Sequence, residues 1–286
     1  MDTIDLGIIG GTGLYNIEGL TIHHHVRPNT PFGKPSDDIA IGEIAGRAVA
    51  FLPRHGRGHR LLPSEIPFQA NIFALKLLGV RRVISVSAVG SLSDSLGPMD
   101  IAVPHQIIDK TRTRPSTFFG NGIVAHVAFS HPVCPELSAI LAKSVRDVVG
   151  SVKEGGTYVC MEGPAFSTKA ESLLHRAWGA DVIGMTAIPE AKLLREAEIC
   201  YGLLSLVTDY DAWHETEDAV TAEMILGYLK KNSENARNIL KSVISGLPDE
   251  PACTCGKALG AALVTDLATA PRKSVETLYP ILRNYL

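Results

Sequence analysis

Four apolar runs in this chain end in residues suited to holding an anion. Leu6-Gly-Ile-Ile-Gly-Gly-Thr-Gly-Leu14 reads as a buried strand closing in a glycine turn that carries the Thr12 hydroxyl. Glycines without a Cβ let backbone N–H groups converge on a negative charge. Arg54 and His55 stand in Pro53-Arg-His-Gly56, Ser87 and Ala88 follow the run that begins at 82, and Thr186 follows Met185 after another. Arg54 brings a forked, permanently charged donor, and His55 can add a ring N–H. In an open α/β sheet the ligand crevice lies outside the strand ends, so these four ends could face one oxyanion. The glycine turn is not a dinucleotide fingerprint, since that spacing needs glycine where Asn16 stands, and no G-K-[ST] makes it a P-loop. Taken singly, each is equally an ordinary turn.

A second group could work on a flat heterocycle. The apolar run 201–208 ends in Thr208-Asp-Tyr-Asp211. If the backbone stays extended there, the Asp209 and Asp211 side chains lean the same way and can bind a ring nitrogen and an exocyclic amine together. Burial could raise one carboxyl enough for it to donate a proton near neutrality. A metal pair or a capping aspartate fits the same spacing. Phe166, in Glu162-Gly-Pro-Ala-Phe-Ser167, could cover the core or stack on a base.

The elements that must position these residues alternate. Strands are expected at 4–9, 39–44, 47–52, 82–87, 101–104, 157–161, 181–185 and 201–208, the second and third as a hairpin turned at Ala45-Gly46-Arg47. Helices are expected at about 68–78, 135–148, up to 177 behind a Thr168/Glu171 capping box, 189–198 behind Pro189, and 221–245. This order implies an α/β fold, a three-layer sandwich whose mixed central sheet is flanked by helices. Residues 1–286 are expected to form one domain, with 246–286 a connection and helical tail packed on it. His23-His-His25 reads as a surface segment.

The chain's 286 residues are 45% hydrophobic, enough for a large core. A formal charge of −3 without a basic block argues against nucleic acid or an anionic membrane as partner, and leaves a small molecule. Acids near the start and no apolar run of about 20 residues point to a cytoplasmic protein. The five cysteines, at 134, 160, 200, 253 and 255, show no C-x-x-C or C-x-x-H spacing, so no metal is expected. Cys253-Thr-Cys255 could close a very small disulfide or remain two thiols.

Gly10-Gly-Thr-Gly13, Pro53-Arg-His-Gly56, Val159-Cys-Met-Glu-Gly-Pro164, Gly184-Met-Thr186 with Pro189-Glu190, and Thr208-Asp-Tyr-Asp211 together resemble the purine nucleoside phosphorylase family. The likeness runs in order from about residue 4 to 245. It implies that Thr12, Arg54, His55, Ser87, Ala88 and Thr186 bind phosphate, and that Met185 meets the ribose. It also implies that Phe166 and Ser167 flank the purine while Asp209 and Asp211 hold its edge, Asp209 as the catalytic acid. The members it looks most like act on 5′-methylthioadenosine, in methionine and purine salvage. Phosphorolysis would then give adenine and 5-methylthioribose 1-phosphate, with phosphate as co-substrate and no other cofactor. Other purine nucleosides (adenosine, methylthioinosine, inosine or guanosine) are the alternative substrates, and the aspartate pair favours a 6-amino base. A homotrimer or dimer of trimers is implied, in which His131 would reach a neighbour's 5′ pocket. Ala222, Ile225 and Leu226 match the positions that shape that pocket.

Overall fold

The strands at the centre of the protein are buried along nearly their whole length and are mostly apolar, because both of their faces are covered. The computed structural model describes residues 4–10, 21–214 and 221–286. Its strands are β1 (Leu6–Gly10), β2 (Thr21–Val26), β3 (Ile39–Ile44), β4 (Arg47–Pro53), β5 (Arg82–Ser91), β6 (Ile101–Val103), β7 (Gln106–Lys110), β8 (Lys153–Glu154), β9 (Thr157–Met161), β10 (Val182–Gly184) and β11 (Cys200–Asp209). The helices are α1 (Phe68–Leu77), α2 (Pro135–Val149), α3 (Lys169–Ala177), α4 (Ala187–Glu196), α5 (Ala222–Gly246), α6 (Arg272–Thr277) and α7 (Tyr279–Leu282).

Alternation along β1 divides the core. Leu6 and Ile8 point into a cluster with α2 and α5, containing Leu137, Leu141, Ile239 and Val243. Ile9 points the other way, into a cluster with α1, α4 and α7, containing Phe73, Leu75, Leu193 and Leu282. These clusters are the two interfaces of a three-layer sandwich, the architecture expected from the order of elements.

Strand β5 is the hub of the sheet. Its first half pairs in parallel with β1, Leu6 opposite Arg82 through Ile9 opposite Ser85. Its other edge pairs in parallel with β11, and its last residues pair antiparallel with β10. The order β2-β3-β4-β1-β5-β10-β9-β7 makes the sheet mixed, with β6 and β8 attached through β11. The β3–β4 hairpin turns at Ala45 and Gly46, whose φ values of 50° and 78° are those of a two-residue turn that follows strand twist.

Several boundaries differ from the sequence expectation. The His23–His25 segment is a strand, β2, because it pairs with β3 at the sheet edge although its side chains are exposed. Pairing also makes strands of β7 and β8, and carries β5 on to Ser91. Helix α4 is kinked at Ile188 (φ −113°, ψ 133°), so its regular turns begin at Pro189 as expected, and it ends at Glu196. The Thr168/Glu171 capping box forms as expected at the start of α3.

The segment after α5 is tied to the rest of the chain at several points. Arg81 Nη2 donates to the Asp249 carbonyl at 3.0 Å, and Arg47 Nη2 to that of Leu247 at 2.7 Å. Tyr285 Oη and the Leu259 N–H both donate to Glu198 Oε1, at 2.5 and 3.0 Å. Leu259, Ile281 and Leu282 are buried in the α1/α4 cluster. No described helix is long and apolar enough to cross a membrane.

Candidate active site

The carboxylate pair is built by an irregularity in the sheet. Val207 faces Val89 and Asp209 faces Gly90, so β11 gains one residue, Thr208, in a bulge at its end. The bulge sets Asp209 against the backbone of Gly90, where a Cβ would stand 2.8 Å from Asp209 Oδ1; glycine is what leaves room for the carboxylate. The chain does not continue extended. Asp211 adopts φ 52°, and its N–H donates to Asp209 Oδ1 at 2.9 Å. A turn therefore brings the two carboxylates together, which corrects the expected mechanism but keeps the pairing. Both are buried and both face one pocket.

Burial is the main cause that raises the Asp209 carboxyl above its usual range, and the Asp211 charge pushes the same way. The Thr208 hydroxyl, 2.8 Å from Oδ2, and the Asp211 N–H oppose the rise. Asp211 Oδ2 is buried without a hydrogen-bond partner among the described residues. An acceptor left so in an interior costs about 1–3 kcal/mol, a cost a ligand donor would remove.

The anion side is assembled just past the ends of β4 and β10 and within β5, which runs on to Ser91, so Ser87 and Ala88 stand mid-strand rather than at the expected strand end. Arg54, His55, Ser87, Ala88 and Thr186 all line the same pocket. Arg54 is fully buried, and its charge is already matched. Its Nε lies 2.5 Å from Glu190 Oε1 and its Nη2 3.3 Å from Glu190 Oε2; Nη2 also donates to Ser85 Oγ at 2.5 Å and Nη1 to the Val86 carbonyl at 3.2 Å. Ser85 Oγ and Tyr201 Oη close the network on Glu190 Oε2 at 2.8 and 3.0 Å. One N–H on Nε, one on Nη1 and two on Nη2 are thus spent on the protein, four of the five a guanidinium owns.

His55 is held with Nδ1 2.9 Å from the Leu61 carbonyl, which can only accept, so Nδ1 carries the proton. Burial, aided by the Arg54 and His59 charges, pushes its pKa down to about 4 against the opposing Leu61 bond. Near neutrality the ring is neutral, and Nε2 is an acceptor rather than the donor expected. Ser87 Oγ is buried with no partner among the described residues.

Between these two ends the pocket holds about 780 Å³, a size suited to a nucleoside-sized ligand. Met185 and Phe166 line it, and Phe166 is 41% exposed at the rim. Ala222, Ile225 and Leu226 of α5 supply an apolar wall. Thr12 lies outside the described residues. His131 is exposed and not on the lining; its carbonyl accepts from Arg195 at 2.5 Å. Ser167 also falls off the lining, its hydroxyl turned to Met161 Sδ at 3.9 Å.

Sequence reasoning missed Arg114. Buried at 7% exposure, it donates through Nη1 to the carbonyls of Met185 and Ile188 at 2.5 and 2.8 Å, and through Nε to Glu162 Oε1 at 3.0 Å. It ties the turn after β9 to the Met185-Thr186 segment. Glu190 and Ser85 were likewise unassigned; no spacing pattern relates residues 54, 85 and 190.

Residues 5–245 match the family described as the phosphorylase superfamily. The chain is 53% identical over 282 residues to an S-methyl-5′-thioadenosine phosphorylase of Koribacter versatilis, covering 98% of this chain and 96% of that one. Among solved structures it is similar to a methylthioadenosine phosphorylase from an antarctic soil metagenomic library, with 48% identity, TM-score 0.93, and 99% and 100% of the two chains covered. A methylthioadenosine phosphorylase from Schistosoma mansoni in complex with adenine is similar at 34% identity and TM-score 0.85, over 90% of this chain and 96% of that one.

Proposed function

The chain belongs to the phosphorylase superfamily, and from that premise we propose that it cleaves 5′-methylthioadenosine with inorganic phosphate to adenine and 5-methylthioribose 1-phosphate. The observation that carries this is a pocket with two kinds of unmet polar demand. Ser87 Oγ, among phosphate-type donors, and Asp211 Oδ2, beside a carboxyl with a raised pKa, are both buried and without a partner among the described residues.

Phosphate seated by Ser87, Ala88, Thr186 and His55 would stand below the sugar. Because the Arg54 charge is matched by Glu190, Arg54 acts mainly by fixing β4 against β5 and offering its one uncommitted N–H. Neutral His55 suits a phosphate that donates its own proton to Nε2. The C1′–N9 bond breaks as a phosphate oxygen bonds to C1′, and positive charge on the sugar is stabilised by the anion beneath it. Negative charge on the leaving purine is relieved by a proton from Asp209 to N7, and Asp209 regains one from solvent. Asp211 Oδ2 accepts from the 6-amino group, a contact that a 6-oxo base would turn into repulsion. Met185 packs on the ribose, Phe166 on the base, and the α5 wall on the methylthio group.

The chemistry so derived needs no metal or organic cofactor in the pocket. The chain works as one domain with its tail packed on it, in the cytoplasm, as a homotrimer or dimer of trimers. The exposed apolar rim at Phe166 and Leu226 supports a neighbour covering the site, with His131 reaching across to it.

Adenine release from 5′-methylthioadenosine by purified protein, with and without phosphate, tests the proposal. Release that requires phosphate and yields the sugar 1-phosphate is expected. Equal release without phosphate would mean hydrolysis, and no release in either would remove this substrate.

A further inference from the structure

Folding brings together four of the five cysteines from three distant segments. Cys134 precedes α2, Cys200 opens β11, and Cys253 and Cys255 come from the segment after α5; their sulfurs all lie within 4.8 Å of one another. All are free thiols, with Cys200 Sγ 3.3 Å from Cys253 Sγ. A tetrahedral zinc with Zn–S bonds of about 2.3 Å sets its four sulfurs roughly 3.8 Å apart, within the spacing found here. From this geometry we infer that Cys134, Cys200, Cys253 and Cys255 form a closed structural zinc site that fastens the C-terminal segment to the sheet.

The surroundings fit such a site. Four thiolates around zinc carry a net charge of −2, once four protons have left for solvent, and this charge needs nearby donors. Arg195 Nη1 stands 3.7 Å from Cys255 Sγ. Arg82, 2% exposed, lines a small cavity with Cys134 and Cys200; its Nη1 pairs with Asp5, while its Nη2 is buried with no partner among the described residues. Cys134 is the N-cap of α2 and accepts the Leu137 N–H at 3.5 Å, so a helix N-terminus faces that sulfur. Glu136 Oε2 accepts the N–H groups of Ala252 and Cys253 at 2.9 and 2.8 Å, which holds the tail loop in place. Three of the four side chains are almost wholly buried, and no ligand position is left open for chemistry. The site stands apart from the pocket, since β11 runs from Cys200 to Asp209, roughly 30 Å at strand rise. It was hidden from spacing arguments because only Cys253 and Cys255 are close in sequence.

The test is elemental analysis of untagged full-length protein, as isolated and after zinc reconstitution under reducing conditions, beside the double variant C253S/C255S. About one zinc per chain is expected, lost in the variant and released from the unaltered protein as about four equivalents of a mercurial bind the cysteine sulfurs in its place. Cobalt loaded in its place should show intense tetrahedral thiolate absorption in the visible range. Should the variant fail to fold, the cobalt spectrum and thiol count of the unaltered protein still decide. Zinc at blank level in both preparations would overturn the inference. So would full zinc retained by a folded C253S/C255S, or four cysteines found as disulfides after alkylation in the lysate.

Discussion

Ser85 and Ser87 lie two residues apart on one face of β5, and their hydroxyls meet opposite circumstances. Ser85 Oγ is locked between Arg54 and Glu190, inside a network with Tyr201 that leaves little unmet. Ser87 Oγ, one pleat further along, has no partner among the described residues and faces the pocket. Asp211 Oδ2 is likewise buried with no partner among the described residues, whereas Asp209 belongs to both sides, accepting from the protein at both oxygens while it is the proposed proton donor to the base. Where interior polar groups are saturated they hold the strands in place. Where they are not, the protein has left a bond for its substrate to make.

The contrast can be broken most severely at Asp209. Replacing it in Asp209→Asn should lower kcat for 5′-methylthioadenosine by about 10²–10⁴-fold with little change in phosphate KM, the loss expected of a general acid; an unchanged kcat would remove it from that role. Glu190→Ala strands the Arg54 guanidinium in the interior and should cost about 3–5 kcal/mol in urea unfolding. A loss below about 1 kcal/mol would mean the pair is not the anchor of the floor. Asp211→Asn should reduce kcat/KM for adenine nucleosides by about 10–100-fold while narrowing the preference over 6-oxopurines, read from paired substrate assays.

The serines sharpen the comparison directly. Ser87→Ala should raise phosphate KM by about tenfold and leave the urea midpoint unchanged, whereas Ser85→Ala should lower stability by about 1–3 kcal/mol. The reverse pattern would erase the distinction. The smallest effect concerns His55. Its folded pKa of about 4 lies below the value near 6.5 of an unfolded chain, so the unfolded state takes up the proton first. Stability is unaffected by this group above 6.5 and falls as pH drops toward 4. Between pH 7.5 and 5.5 the natural protein should lose about 1.4 kcal/mol more than His55→Asn, measured by urea titration at each pH.

Much of this was visible in the order of residues. Strand β9 at Thr157–Met161 and the Thr168/Glu171 capping box follow from local pattern, because each depends on neighbours in the chain. The carboxylates were visible as polar residues closing a long apolar run. Their geometry was not, since the bulge at Thr208 depends on where β5 and β11 pair, and the left-handed Asp211 depends on a bond to Asp209. Arg54 read as a ligand donor because its partner Glu190 is 136 residues away. The β2 strand was missed for the converse reason: backbone pairing at an edge makes no demand on hydrophobicity.

The wall made by Ala222, Ile225 and Leu226 comes from one helix, whereas the residues for phosphate and base sit on β5, at the end of β11 and in the segments that follow β4, β9 and β10. Changes at Ala222, Ile225 and Leu226 can therefore accumulate without disturbing the sheet that carries the reaction. In evolutionary terms the fold is modular. A lineage could trade one 5′ substituent for another by altering a few exposed helix positions, each intermediate remaining folded and active, and inherit the rest of the site intact.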